Sequence, residues 1–224
     1  MWVGRAHADL AAAGAADAYD RALVAGWVRA GRPFVVRCQA SARASPQRLA
    51  VGLPLCPAQG KRRVALELPL RAIAKVSPPP RLADVVDASP APWRESLSRL
   101  LRHARAIRTE FSVFGSLAWQ SLTGLRYVMH GSDLDLCWRA ASREQLDAAC
   151  HLLASWQRAS GIAVDGEIDF GDGLAVAWRE WHGRHAHARL LVKRLHGPAM
   201  MTAADLLAAC DAQARAGVRA KRPA

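Results

Sequence analysis

The sequence lacks the features that mark several common classes of protein. No apolar run approaches the ~20 residues that a membrane-spanning helix needs. The first 20 residues include Asp9, Asp17 and Asp20 and no clean apolar segment, so we do not interpret them as a signal peptide. The five cysteines are scattered and form no CxxC pair, which argues against a disulfide framework and against a zinc site. Together these absences predict a cytoplasmic protein.

Two catalytic motifs are also absent. The sequence contains no GxxxxGK followed by Ser or Thr, which excludes a P-loop enzyme. It contains no GxSxG, which argues against the nucleophile elbow of an α/β-hydrolase.

Charge is the strongest compositional signal that is present. The formal net charge is +12 at pH 7, and the excess is spread along the chain. No zinc-finger spacing, long basic helix or aromatic-basic ribonucleoprotein motif accompanies it. A polyphosphate substrate or an acidic protein partner therefore explains the charge as well as a nucleic acid does.

The pattern along the chain predicts an α+β fold. A helix from about Asp17 to Arg29 precedes a β-rich stretch that contains PFVVRCQA, RLAVGLPL and RRVALELPL. The proline run in Ser77 to Pro80 suits neither a helix nor a central strand. We therefore predict a small N-terminal β-rich domain over residues 1–80 and a second domain, a mixed sheet with packed helices, over residues 81–224. The alternative is that the proline run is a rigid loop within one domain.

The second region has clear element signals of its own. Helices are predicted over Pro92 to Ile107 and over Ser142 to Ser160, the latter with Ser142 as N-cap and Gly161 as the stop. A hairpin is predicted from Ile162 to Phe170 and from Leu174 to Trp181, with Gly171-Asp172-Gly173 as its turn.

The segment from Phe111 to Trp138 carries the chemistry. In a strand, Asp133, Asp135 and Cys137 share one face because side chains alternate with period two. Two carboxylates this close repel each other unless a cation lies between them, and oxygen ligands suit Mg²⁺. Upstream, Phe111 to Phe114 predicts a short strand and Leu117 to Leu122 a short helix.

A Gly-Ser turn connects that strand to that helix. Gly115 lets a phosphate approach the backbone, and Ser116 adds a hydroxyl and an N–H at a helix N-terminus. The pattern favours metal-assisted transfer of a phosphate-containing group. We hypothesise that Asp133 and Asp135 hold two Mg²⁺ ions and that Gly115 and Ser116 hold a triphosphate.

These residues resemble a known signature. Gly-Ser followed by Asp-x-Asp on the next strand resembles the active site of the DNA polymerase β-like nucleotidyltransferases. The longer string FGSLAWQSLTGLRYVMHGSDLDL resembles the malonate decarboxylase holo-acyl-carrier-protein synthases, also called phosphoribosyl-dephospho-CoA transferases. Weaker similarity lies in GRPFVVR, in RLAVGLPLCPAQGKRRVALEL and in DGEIDFGDGLAVAWREW.

The resemblance implies an activity and its partners. It implies transfer of 2′-(5″-phosphoribosyl)-3′-dephospho-CoA from its triphosphate precursor to a serine of the malonate decarboxylase acyl-carrier protein, with release of diphosphate. Carrier proteins are typically acidic, so a basic surface suits that partner. The alternatives are another nucleotidyltransferase, such as an adenylyltransferase or the citrate lyase counterpart, and a basic nucleic-acid-binding protein with an inactive nucleotidyltransferase fold.

The resemblance also implies a third catalytic carboxylate on a strand next to the one that bears Asp135. Asp165, Glu167 and Asp169 alternate along the first strand of the predicted hairpin and share one face. We favour Glu167 because it lies at the centre of that strand. Three further residues are predicted to contact the substrate: Trp119 and Gln120, which follow the Gly-Ser pair, and Lys193.

Overall fold

The chain consists of two compact units in the computed structural model. The structure describes residues 2–6, 18–37, 47–139, 142–185, 188–194 and 197–210, and for 2–6, 18 and 19 only the backbone. The first unit comprises Met1–Pro79 with Ala118–Met129, and the second comprises Pro80–Leu117 with His130–Ala224. The sequence-based boundary between residues 80 and 81 stays a proposal.

The described residues of the first unit form an antiparallel sheet with the strand order β4-β3-β2-β1-β5. Helix α1, which was predicted from the sequence, connects β1 to β2. The elements are β1 (Trp2–Ala6), α1 (Ala18–Arg29), β2 (Phe34–Val36), β3 (Arg48–Pro54), β4 (Arg63–Pro69) and β5 (Ile73–Ser77).

Aromatic side chains form much of the core of this unit. Trp119 lies between Trp27 and Tyr127, with ring centroids 6.0 Å away on each side. Trp27 donates a hydrogen bond to the carbonyl of Pro33, and the Tyr127 hydroxyl donates one to the carbonyl of Pro54. Because the polar tips of Trp27 and Tyr127 have these partners, both rings can be buried without an unpaired donor.

The described residues of the second unit form a mixed sheet with the order β11-β10-β9-β8-β7-β6. Only β7 and β8 among its neighbouring pairs run parallel, and helix α5 connects them. The elements from Leu82 onward are α2 (Leu82–Val85), α3 (Ala91–Ala106), β6 (Ser112–Val113), α4 (Gly115–Thr123), β7 (Leu134–Arg139), α5 (Arg143–Ser160), β8 (Val164–Gly171), β9 (Leu174–Ala177), α6 (Trp178–His182), β10 (Arg189–Lys193) and β11 (Ala199–Thr202). Residues 118–123 of α4 belong to the first unit. Residues 203–210 are helical.

The predicted α+β class is confirmed, with an antiparallel sheet followed by a mixed one. The predicted ends of α5 are confirmed too: the Ser142 side chain accepts a hydrogen bond from the Gln145 N–H, and Gly161 adopts the left-handed conformation at φ 69°. In the described residues, no helix is long and apolar enough to cross a membrane.

Several details of the prediction were wrong or missing. Strands β1, β10 and β11 and helix α2 were not predicted, and β5 was covered only by the general β-rich region from 34 to 76. Helix α4 begins at Gly115 rather than at Leu117. The second strand of the hairpin ends at Ala177, and helix α6 follows it. Trp178 and Trp181 are both buried, and a spacing of three residues puts two side chains on one face of a helix but on opposite faces of a strand.

Gly166 allows two tryptophan rings to pack closely against the buried face of the sheet. A Cβ at this position would lie 2.9 Å from Trp178 Cδ1 and 3.1 Å from Trp138 Cζ3. Both tryptophans are buried, so neither ring has room to move away.

We therefore expect Gly166→Ala to lower the free energy of unfolding by about 1 to 3 kcal/mol, the usual cost of overpacking a core. Urea unfolding followed by circular dichroism would measure it. Gly26→Ala is the matched control, because its Cβ would meet only the end of Arg29 at 4.0 Å in the middle of α1. That change should be neutral or stabilising, and an equal loss in both variants would contradict the packing argument.

Candidate active site

Three carboxylates converge where the parallel strands β7 and β8 begin. Asp135 on β7 is paired in register with Asp165 on β8, and Asp133 lies immediately before β7. One oxygen from each of the three carboxylates lies within 4.8 Å of the others. Among the described residues, these three aspartates are the acidic, histidine or cysteine side chains that lie close enough together to share a metal ion.

Burial of the opposite face fixes the direction of these side chains. Leu134, Leu136 and Trp138 of β7 are buried, whereas the alternate residues are at least partly accessible. In β8, Val164, Gly166 and Ile168 are buried in the same way. A slip of one residue would turn these apolar side chains to solvent, so the core sets the register that pairs Asp135 with Asp165.

The backbone before α4 lies directly against Asp135. Strand β6 pairs antiparallel with β7, and the Phe114 N–H donates a hydrogen bond of 3.1 Å to the Asp135 carbonyl. The next residue, Gly115, has φ 57°, and a Cβ built on it would lie 1.7 Å from Asp135 Oδ2. Any side chain at this position would occupy the space of the carboxylate, which explains the glycine.

Burial and the repulsion of neighbouring carboxylates raise the pKa of Asp135 to about 7. Burial is the largest cause, the negative charge of Asp133 is the next, and Asp165 and Glu167 add to it. A hydrogen bond with the backbone of Ser116, at the start of α4, acts in the opposite direction. No Arg or Lys of the described residues forms a salt bridge with Asp133, Asp135 or Asp165.

This arrangement fits a metal ion. Three carboxylate groups supply only oxygen ligands, which suit hard divalent cations such as Mg²⁺. A bound cation would also relieve the repulsion that raises the pKa of Asp135, because no described side chain supplies a positive charge there.

Glu167 and Lys193 form an ion pair on the same face of the sheet. Glu167 is paired in register with Cys137, and this pair lies two residues further along the strands than the pair of Asp135 and Asp165. The burial of Cys137 and the nearby charge of Glu167 raise the pKa of that thiol to about 11, so it stays protonated at neutral pH. The Cys137 thiol is therefore unsuited to act as a nucleophile.

The last acid of β8 has a different environment. Asp169 Oδ1 accepts a hydrogen bond of 2.7 Å from the Gly171 N–H, where the two-residue turn to β9 begins. Asp172 and Gly173 both have positive φ, as a type I′ hairpin turn requires. Asp169 thus stabilises the hairpin turn.

Trp119 and Gln120 serve the core of the first unit. The Trp119 ring is 5 % exposed and lies between two other aromatic rings. Gln120 Oε1 accepts hydrogen bonds from the N–H groups of Tyr127 and Val128, at 3.1 and 3.0 Å. Their contact with a substrate stays a prediction.

Sequence analysis did not single out Asp165. The alternation of residues in β8 predicts that Asp165, Glu167 and Asp169 share a face, but it does not tell which of them lies next to Asp135. That depends on the register of two strands that are 30 positions apart, since Asp135 pairs with Asp165 and Cys137 with Glu167. The pairing places Asp165 next to Asp135, and the preference for Glu167 as the third catalytic carboxylate stays an untested prediction.

Comparison with known protein families covers both units. Residues 81–204 match the model of the phosphoribosyl-dephospho-CoA transferase MdcG C-terminal domain, and residues 5–79 match that of the N-terminal domain. The chain belongs to the phosphoribosyl-dephospho-CoA transferase family. The predicted family is confirmed, as is the prediction that the protein is an enzyme, a transferase.

Individual relatives carry the name phosphoribosyl-dephospho-CoA transferase. One from Xanthomonas campestris pv. campestris (strain 8004) is 39% identical over 189 residues, which is 81% of this chain and 87% of the relative. One from Bradyrhizobium diazoefficiens is 39% identical over 180 residues, or 77% and 75% of the two chains. One from Xanthomonas axonopodis pv. citri (strain 306) is 40% identical over 157 residues, or 70% and 73%. No solved structure gives a significant match.

We expect Gly115→Ala to weaken metal binding at the carboxylates by at least about tenfold, because its Cβ would displace the Asp135 side chain. Isothermal titration with Mg²⁺ would measure the effect. Gly161→Ala is the matched control: this glycine also has positive φ, 69°, but nothing lies within 4 Å of its Cβ. Both variants bear the cost of a left-handed alanine, about 1 to 2 kcal/mol, so equal loss of metal binding in both would refute a local effect on Asp135.

Metal binding should also depend on pH. Below pH 7 the Asp135 carboxyl holds a proton that a metal must displace, since its pKa is raised to about 7. We therefore expect release of about one proton per metal at pH 6 and close to none at pH 8, with an affinity that falls as the pH falls. Titration in buffers of different ionisation enthalpy counts the protons. Release of the same number of protons per metal at both pH values would contradict the raised pKa of Asp135.

Proposed function

We propose that this protein transfers 2′-(5″-phosphoribosyl)-3′-dephospho-CoA from its triphosphate precursor to a serine of the malonate decarboxylase acyl-carrier protein and releases diphosphate. The observation that supports the proposal is the group of three carboxylates, unpaired by any described protein cation, in a chain of this family. Its position beside the Gly115-Ser116 turn is consistent with the resemblance to the DNA polymerase β-like nucleotidyltransferases.

In this proposal Asp133, Asp135 and Asp165 hold Mg²⁺. Bound there, the ion would neutralise charge on the donor phosphates and on the diphosphate that leaves. The chain contributes the rigid geometry, because Asp135 and Asp165 lie on paired strands whose other face is buried. Sites built on strands hold their ligands more precisely than sites on loops do.

The donor phosphates would lie next to the start of α4. Gly115 lets the backbone at the start of this helix lie directly against the Asp135 carboxylate, and the N-terminus of a helix favours an anion. Lys193 reaches the same face of the sheet, as its ion pair with Glu167 demonstrates. We assign Lys193 to a donor phosphate, where its ammonium group would counter the negative charge.

The chemical step is a substitution at the inner phosphorus of the donor triphosphate. The serine Oγ of the acceptor forms a bond to this phosphorus while the bond to the diphosphate oxygen breaks. The proton of the serine hydroxyl must pass to a base. Glu167 lies on this face outside the metal group and, unlike Asp169, is not bound to the hairpin turn. We therefore assign proton acceptance to Glu167 and metal binding to Asp165.

The first test is the intact mass of the purified apo acyl-carrier subunit after incubation with this protein, Mg²⁺ and triphosphoribosyl-dephospho-CoA. We expect a mass gain equal to the donor minus diphosphate. Asp135→Asn and Asp165→Asn should each slow the transfer by at least about 100-fold, since each removes a metal ligand. Glu167→Gln should lower kcat without changing the Mg²⁺ concentration that gives half the maximal rate.

Asp169→Asn is the matched control, because Asp169 lies on the same face of β8 but its carboxylate binds the turn at Gly171. Its transfer rate should stay within about threefold of the wild type. No mass gain with the folded wild-type protein would reject the proposed transfer. A raised Mg²⁺ requirement in Glu167→Gln but not in Asp165→Asn would reverse the two assignments.

A further inference from the structure

The open face of the second sheet carries an exposed apolar pair. Leu191 on β10 is 45% exposed and Met200 on β11 is 47% exposed. The two residues are direct cross-strand partners, so their side chains form one continuous patch. They are among the most exposed large apolar side chains of the described residues.

This patch lies on the face that bears the carboxylates. Asp169 and Lys193 both pair with Ala175 of the intervening strand β9, so the two side chains point to the same face. The ion pair of Lys193 with Glu167 bears this out. Leu191 precedes Lys193 by two residues and therefore shares its face.

Basic side chains flank the apolar pair along β10. Arg189, Leu191 and Lys193 occupy alternate positions on the exposed face. Arg189 lies across β11, where it donates a hydrogen bond of 3.0 Å to the Met200 carbonyl. Two carboxylates border this part of the sheet, because Glu180 accepts a hydrogen bond from the Leu191 N–H and Asp205 interacts electrostatically with Arg189. The face thus carries acidic residues on β7 and β8, and an apolar pair with charges of both signs on β10 and β11.

We propose that Arg189, Leu191 and Met200, here called the docking patch, bind the protein acceptor beside its reacting serine. The inference rests on the proposed function. An acceptor whose serine reaches the metal site must cover the surrounding surface, and a typical interface buries ~800 Å² per partner, a disc of ~16 Å radius. Strands lie ~4.8 Å apart, which puts β10 about 10 Å and β11 about 14 Å from β8. The docking patch falls within that area.

Charge identifies the kind of surface that fits. Acidic groups of the acceptor would be repelled by Asp165 and Asp169 of β8, whereas Arg189 offsets the carboxylates of Glu180 and Asp205 beside the docking patch. Apolar side chains of the acceptor would cover Leu191 and Met200. The face therefore fits an acceptor that has an apolar surface next to its serine and whose acidic groups lie over Arg189 rather than over β8.

The test uses two variants, Arg189→Glu and the double variant Leu191→Ser with Met200→Ser, in the full chain. We expect the KM for the apo acyl-carrier subunit, and the Kd of its direct binding by isothermal titration, to rise about tenfold in each. The kcat and the affinity for the donor should change by less than about twofold, because the patch contacts neither the donor nor the metal. Circular dichroism checks that both variants fold.

Two matched controls change exposed positions elsewhere. Arg102→Glu makes the same charge change on α3, and Leu70→Ser alters an apolar side chain that is 50% exposed. Both should keep the wild-type KM. Unchanged acceptor binding in the patch variants would overturn the docking patch, as would conversion of a dimer to a monomer in light scattering without a change in KM.

Failure of the proposed function gives a different result. If the wild-type protein binds the acyl-carrier subunit through the patch but adds no mass to it, the docking patch stands and the transfer does not. If the wild-type protein neither binds nor modifies the subunit, both are rejected.

Discussion

Mutual repulsion among Asp133, Asp135 and Asp165 is the constraint on which the site depends. Their oxygens lie within 4.8 Å of one another, and no described arginine or lysine pairs with them. The raised pKa of Asp135 is the direct consequence of its burial beside these charges. The buried core behind the sheet stabilises the two strands in the register that holds these carboxylates together despite their repulsion.

The packing behind the sheet and the chemistry in front of it use the same strands. In β8, Gly166 admits the rings of Trp138 and Trp178 on the inner face, while its neighbours Asp165 and Glu167 point outward. In β7, the buried leucines alternate with Asp135 and Cys137. Every residue that fixes the strands in register therefore also fixes the separation of the carboxylates.

The outer face of this sheet changes character from one edge to the other. Carboxylates lie on β7 and β8, and the ion pair of Glu167 with Lys193 spans from β8 to β10. Beyond it, Arg189, Leu191 and Met200 have no role in binding a metal. In the proposed function the acceptor is a protein, and a sheet face with two chemically different halves offers one surface for the donor and one for that acceptor.

Local patterns in the sequence determined several of the helices and strands and the position of two of the carboxylates. Alternation placed Asp133 and Asp135 on an accessible face, the Gly115-Ser116 pair indicated a helix beginning close by, and Ser142 and Gly161 delimited α5, because each of these signals acts within a few residues. The string around SDLDL was specific enough to indicate the family. Only the tertiary structure decided that Asp165 is the neighbour of Asp135, that Gly115 is a glycine because of Asp135, and that Trp119 packs between two other rings. These facts depend on pairing and contact between residues distant in sequence, and no local pattern contains that information.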